Sequence, residues 1–257
     1  MEFKTHKYFV GDILTDLVFG YTKRTNGVSS YPENSFNMAL YIDDDSKNVH
    51  RHQELLSEEI NIPSSNWVLP IQKHGSKVCQ VTSKECGTNV KELTDQWYGV
   101  DGLYTYDDVL LTMNFADCVP VYIFSRENTF TGLAHAGWRG TSENITRNLI
   151  QAYDENPEDL TVIIGVSING SSFNVDDKVI HSIDEKYLNH AVEADGEEYQ
   201  LDLKTVNKNQ ALECGIREDN IYVTELGTED TSTFFSYRTE SGKTGRALAF
   251  IGRTVHD

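Results

Sequence analysis

The stretch "VLLTMNFADCVPVYIFSRENTFTGLAHAGWRGT", residues 109–141, holds three short apolar runs divided by a polar kink at Ala116–Asp117 and a turn around Glu127 and Asn128. Runs of this length, rich in Val, Ile, Tyr and Phe and bounded by turn residues, read as buried strands. After them the period changes: Ile145, Leu149, Ile150 and Tyr153 recur at helical spacing, with Thr141 as N-cap and "ENPED" as the end. The same stretch carries a cysteine at the mouth of one strand and a histidine, a tryptophan and an arginine among small residues at the end of another.

Outward from there, "YFVGDILTDLVFG" with its Gly, Asn and Ser punctuation reads as hairpins, and "SKNVHRHQELLSEEI" (46–60) as a surface helix closed by Pro63. "WVLPIQKHGSKVCQVT" (67–82) is β-rich with a turn at Gly75, and residues 83–100 form a polar loop. "LTVIIGVSI" is another buried strand. Helices follow over "DDKVIHSIDEKYL" and "DLKTVNKNQALECG", the second with Asp202 as N-cap and Gly215 past its end, and "IYVTEL" and "RALAFIG" close the series as strands. No Pro/Gly/Ser-rich linker divides the chain. The expected fold is α+β: mixed β-sheets packed together with helices on the outer faces, one domain over residues 1–257.

Forty acidic against 22 basic side chains give a formal charge of −18. That field opposes nucleic acid and anionic lipid and makes any local cluster of arginines informative. No apolar run approaches the length of a membrane span, and the N-terminus lacks the pattern of a secretory signal, so a cytoplasmic protein is expected. The four cysteines, Cys79, Cys86, Cys118 and Cys214, include no CxxC pair, which argues against a disulfide framework. No protein partner is evident from the sequence.

His74, Cys118 and His135 offer two imidazoles and a thiolate, each beside Gly or other small residues that let a ligand approach the backbone. Zinc accepts this donor set, and a catalytic zinc keeps a fourth position open. Taken singly, Cys118 also reads as a small buried hydrophobe and His135 as a core histidine with satisfied nitrogens. No HxxxH or CxxC spacing ties the three together.

"QKHG", "DGLYT", "ADCVPV", "AHAGWRGT" and "FFSYRTESGKTGRALAFIG" stand in the order of the motifs of the YfiH-like laccase-domain family, also called polyphenol oxidases, and "GVSSYPENSFNMALYIDDD" is similar to that family's N-terminal segment. The resemblance covers nearly the whole chain. It implies that His74, Cys118 and His135 bind zinc, and that the chain is a purine nucleoside phosphorylase. The implied substrates are adenosine, inosine, guanosine and methylthioadenosine with phosphate, and deamination of adenosine is a further implied activity. The sequence departs from the pattern in three places. Ser171 and Ser172 stand where the family has cysteines, His52 and Gln53 where it has an Asn-Arg pair, and Gly227 and Thr228 where it has Cys-Thr. Arg51 is the candidate replacement for the arginine missing at Gln53.

Phosphorolysis needs an anion held near C1′ of the ribose, and the planar fork of arginine matches phosphate oxygens. Arg139, in a Gly-bounded loop leading to the helix expected from Thr141, is the candidate holder; its alternative is a salt bridge to one of the many carboxylates. Asp117, next to Cys118, is the candidate proton shuttle, or else a loop carboxylate accepting backbone N–H bonds. Trp138 either stacks on a base or packs the loop. Arg238, Lys243 and Arg246 form with Tyr237 a basic island placed to close over phosphate or to pair with acids such as Glu240. Among rival readings, a copper laccase needs more histidines and HxH pairs than the eight histidines and single pair, His50 and His52, present here. A cysteine hydrolase would use Cys118 as nucleophile with His135 or His74 as base. A non-enzymatic zinc protein would ordinarily close its metal with four ligands.

Overall fold

Alternation along the strands decides how this molecule is layered. In the strand Leu110–Phe115, Leu111, Met113 and Phe115 belong to one apolar cluster while Leu110 belongs to another on the opposite face. Thr131–Ala136 behaves alike, with Leu133 on one side and Ala134 and Ala136 on the other. Two-faced strands of this kind need cover on both sides. The computed structural model, which describes residues 1–30 and 33–253, supplies it with two six-stranded sheets and flanking helices. Tyr31 and Pro32 of the N-terminal motif segment, and residues 254–257, lie outside the described residues.

The first sheet orders Lys4–Thr5, Phe9–Ile13, Leu17–Thr22, Ala247–Arg253, Leu110–Phe115 and Trp67–Val68. The second orders Ile221–Val223, Leu160–Ile164, Val119–Ser125, Thr131–Ala136, Gly102–Thr105 and Val78–Gln80. Between them lies the cluster built from Phe19, Tyr21, Met113 and Phe115 of the first sheet and Leu103, Tyr122, Leu133 and Ile163 of the second. Helix α1, Ser46–Ile60, buries Val49, His52, Gln53, Leu56 and Ile60, and its Leu56 and Ile60 join Phe9, Leu110 and Phe250 on the outer face of the first sheet. The outer face of the second sheet packs against Ile145 and Leu149 of α3, Ile145–Ile150, and Val206 and Ala211 of α5, Leu203–Glu213. Mixed sheets packed together with helices outside is the α+β arrangement the sequence predicts.

Local expectations fared unevenly. Helix α1 runs over the predicted residues; Asp45 caps its start, and Asn61, in the left-handed region at φ 54°, ends it before Pro63 is reached. Asp202 caps α5 as expected, with Gly215 at φ 90° beyond it. The helix expected from Thr141 begins earlier and is broken. A short α2, Trp138–Ser142, starts at Gly137, Asn144 interrupts at φ 63°, and α3 ends at Ile150. Thr141 is not a cap but lies buried inside α2, where its carbonyl accepts from Gln210 and its hydroxyl from Asn207. Arg139 is therefore the second residue of α2 rather than part of a loop. The helix expected over "DDKVIHSIDEKYL" is only α4, Asp177–Ser182, followed by a 3₁₀ turn at Glu185–Tyr187 that Asp184 caps. Within residues 67–82 only Trp67–Val68 and Val78–Gln80 are strands, and the segment between them is an irregular loop. A small sheet of Asn174–Val175, Val192–Asp195 and Glu198–Leu201 was not anticipated.

Candidate metal centre

Register brings the centre together. In the antiparallel pair of Val119–Ser125 with Thr131–Ala136, Pro120 faces His135, which places Cys118 beside the end of the neighbouring strand. Following Leu133 in the alternation, His135 points between the sheets, and its ring meets Phe115 at 5.1 Å. The irregular loop after Trp67–Val68 delivers His74, whose ring lies 4.8 Å from that of His135. The ligand atoms of His74, Cys118 and His135 all lie within 4.8 Å of one another, with His74 exposed, Cys118 half-buried and His135 buried. This is the one such group of His, Cys, Asp or Glu among the described residues.

Two glycines show why the surrounding residues are small. A Cβ on Gly137 would stand 2.8 Å from Cys118 Sγ and 3.4 Å from His74 Cδ2, so the backbone turning into α2 passes against the centre. A Cβ on Gly140 would meet the Gly75 carbonyl at 2.7 Å, so α2 and the His74 turn are in backbone contact. His74 itself adopts φ 62°, a conformation uncommon for a residue with a side chain.

What holds that turn is Asp101, a residue the sequence reading passed over within "DGLYT". Its carboxylate is fully buried and accepts from the amides of Lys73 (3.0 Å), His74 (2.9 Å) and Gly75 (3.0 Å). The same carboxylate is 2.9 Å from His135 Nδ1, and its backbone carbonyl accepts from His135 N at 2.8 Å. Burial would raise this carboxyl, but the hydrogen bond and charge of His135 and the backbone donors hold it below the usual range.

The thiol is equally perturbed. Burial opposes ionisation of Cys118, yet the charge of His135 and hydrogen bonds from His135 and His74 outweigh it and pull the thiol down to about 6. Burial likewise favours a neutral His135, while the Cys118 charge and the Asp101 hydrogen bond push the ring up to about 9. Near neutral pH both directions favour a Cys118 thiolate beside a protonated His135 in the metal-free centre.

Zinc takes thiolate sulfur at about 2.3 Å and imidazole nitrogen at about 2.0–2.1 Å in tetrahedral sites. The two-nitrogen, one-sulfur set fits that preference. The Asp101 bond to His135 Nδ1 leaves Nε2 for a metal, the usual arrangement around ligating histidines. The exposure of His74 leaves one side open.

The other predicted residues each make contacts of their own. Both Asp117 oxygens are engaged, one accepting from Thr228 Oγ1 at 2.7 Å and the other from Arg238 N at 2.8 Å, and its carbonyl accepts from Ile168 N. Thr228 is one of the two positions where the chain meets the family's Cys-Thr. Arg139 is exposed and stacks on half-buried Trp138 at 4.5 Å. Arg238 stacks on Phe173 at 4.9 Å and donates to the Asn174 carbonyl. Arg246 stacks on Tyr237 at 5.4 Å, and its backbone amide donates to Asn37. The charges of both Arg246 and Cys118 act on the hydroxyl of Tyr41, which burial raises above its ordinary value. Lys243 is exposed. Arg51 pairs with Glu54 on the exposed side of α1, while the inward positions belong to His52 and Gln53. His52 Nδ1 donates to the Asn37 carbonyl and its Nε2 accepts from Val28 N, and His50 bonds the Lys91 carbonyl. Lys73, not predicted, stacks on exposed Tyr98 at 4.7 Å.

A two-sheet α+β fold with a histidine–cysteine–histidine centre at the open end of its core defines a class of candidate metalloenzymes. The chain belongs to the family described as multi-copper polyphenol oxidoreductase laccase, whose model matches residues 18–254. It is 44% identical over 256 residues, 97% of each chain, to a purine nucleoside phosphorylase of Staphylococcus epidermidis. Its structure is similar to that of YlmD from Geobacillus stearothermophilus, with TM-score 0.91 and 34% identity over 98% of this chain and 99% of that one. It is also similar to a Bacillus licheniformis protein, YfiH, with TM-score 0.92 and 29% identity over 97% of each chain.

Proposed function

We propose that the chain, acting as a single unit over residues 1–257, is a zinc-dependent purine nucleoside phosphorylase. It cleaves adenosine, inosine, guanosine and methylthioadenosine with phosphate to the free base and ribose 1-phosphate, deaminates adenosine as a secondary activity, and works in the cytoplasm. The observation that carries this reading is the convergence of His74, Cys118 and His135 in a chain 44% identical over its length to a purine nucleoside phosphorylase. Zinc is preferred to a copper cluster because the described residues offer one three-ligand group, with His50 and His52 bonded elsewhere. No helix among the described residues is long and apolar enough to cross a membrane.

In this reading a phosphate oxygen bonds to C1′ as the bond from C1′ to the purine nitrogen breaks, and the electron pair leaves on the purine, which takes up a proton. Zinc held by His74, Cys118 and His135 supplies Lewis-acid chemistry. Arg139 holds the phosphate, supported by Arg238, Lys243 and Arg246, which concentrate positive charge in a molecule of net charge −18. Trp138 contacts the nucleoside, and Arg51 reaches it only by leaving Glu54 on the exposed side of α1. Asp117, with both oxygens already accepting hydrogen bonds, serves the site by tying the loops of Thr228 and Arg238 to the strand that carries Cys118.

One observation favours a second reading. Cys118, His135 and Asp101 form a nucleophile, base and orienting carboxylate in sequence, the pattern of a thiol hydrolase. Incubation of adenosine with and without phosphate, each with and without chelator, separates the two. The phosphorylase gives adenine and ribose 1-phosphate only with phosphate and loses turnover with chelator. Cleavage at equal rate without phosphate and unaffected by chelator would overturn it.

A further inference from the structure

We propose that Asp101 is a positioning residue that fixes the metal-binding face of His135 and the left-handed turn of His74 through one carboxylate. The inference rests on the metal reading above and adds to it a residue outside the ligand set.

The two oxygens divide the work. Oδ1 accepts from His74 N and from His135 Nδ1, while Oδ2 accepts from Lys73 N and Gly75 N. All four partners are donors, and a carboxylate is the side chain that accepts at both ends. With Nδ1 donating to Asp101, the lone pair of His135 lies on Nε2, the nitrogen turned away from Asp101. The three amide bonds meanwhile hold His74 at φ 62°, so one ligand is oriented through its ring and another through its backbone.

An asparagine at this position cannot satisfy the arrangement. Its NH₂ must face one pair of donors. Facing Lys73 and Gly75, it removes two bonds from the turn and leaves His74 free to relax. Facing His74 and His135, it requires Nδ1 of His135 to accept, which moves the ring proton to Nε2 and blocks ligation. Either orientation costs one ligand while the side-chain volume is nearly unchanged.

The test uses full-length protein loaded with zinc or with ¹¹³Cd. In the parent, cadmium coupling is expected to His135 Nε2, with a retained proton on Nδ1. Asp101→Asn is expected to weaken zinc roughly 10- to 100-fold, the usual cost of losing such a partner. Histidine ¹⁵N spectra of this variant, metal-free and taken above the His135 transition near 9, are expected to show either His135 protonated on Nε2 with Nδ1 bare, the reverse of the parent, or an altered His74. Lowered melting temperature with unchanged zinc affinity and unchanged histidine spectra would overturn the proposal. So would cadmium coupling to Nδ1 in the parent, a result that needs no folded variant. A parent that binds neither zinc nor cadmium overturns the metal reading and this proposal with it, whereas a parent that binds both metals beside an equally tight Asp101→Asn overturns this proposal alone.

Discussion

Cys118 sits where burial and charge compete, and charge wins. An apolar setting alone would suppress ionisation, but two imidazoles within hydrogen-bonding reach bring the thiol to about 6. Because the shift is downward, the thiolate persists above that value and is lost as pH falls through it. The metal-free protein should therefore lose thiolate absorbance near 240 nm with a midpoint near 6, in a difference titration against Cys118→Ser; a midpoint near 9, the ordinary cysteine value, would contradict the geometry. Arg139 makes a separate prediction. Its guanidinium is exposed and stacked on Trp138, free of any side-chain carboxylate contact among the described ion pairs. Arg139→Ala should raise the KM for phosphate about 10- to 100-fold, the equivalent of about 1.5–3 kcal/mol for a charge-assisted hydrogen bond. An unchanged KM for phosphate would make the residue structural.

The elements carry these groups to one another, and some of them are legible in the sequence. Val119–Ser125 and Thr131–Ala136 were visible as apolar runs, α1 as a segment of helical apolar spacing closed by Pro63, and α5 as a segment capped by Asp202. The ligand set was visible as residue types beside small neighbours and through the family motifs. What escaped was set by long-range contact. The start of α2 at Gly137 has no side-chain cap to announce it, and Asn144 breaks a helix whose apolar spacing reads as continuous. The sheet containing Val192–Asp195 and Glu198–Leu201 is mostly exposed and so lacks apolar alternation, although Asp195-Gly196 is a hairpin signal. Asp101 looked like any acid before a strand, since its four donors come from residues 26 to 34 positions away. Gly137 gives the prediction proper to this scale. Its φ of −71° suits any residue, so Gly137→Ala should leave the fold intact, with α2 retained by circular dichroism. The added Cβ, 2.8 Å from Cys118 Sγ, should lower zinc affinity at least tenfold. Tight zinc in this variant would mean that the turn yields without disturbing the ligands.

At the scale of the molecule, two sheets enclose one apolar core and leave the metal-ligand group at its rim, between the end of Thr131–Ala136 and the loop of His74. The acidic surface and the cations stacked on aromatics near that rim, Lys73, Arg139, Arg238 and Arg246, form a contrast in charge that suits an anionic co-substrate. The account stands on the claim that His74, Cys118 and His135 hold a zinc ion that the enzyme needs. Measuring zinc per chain by atomic absorption on the parent beside Cys118→Ser tests it most directly. The parent should carry zinc near one equivalent and Cys118→Ser far less, with far-UV circular dichroism matching the metal-free parent; stoichiometric zinc in Cys118→Ser with turnover abolished would assign Cys118 as a nucleophile and contradict the metal centre.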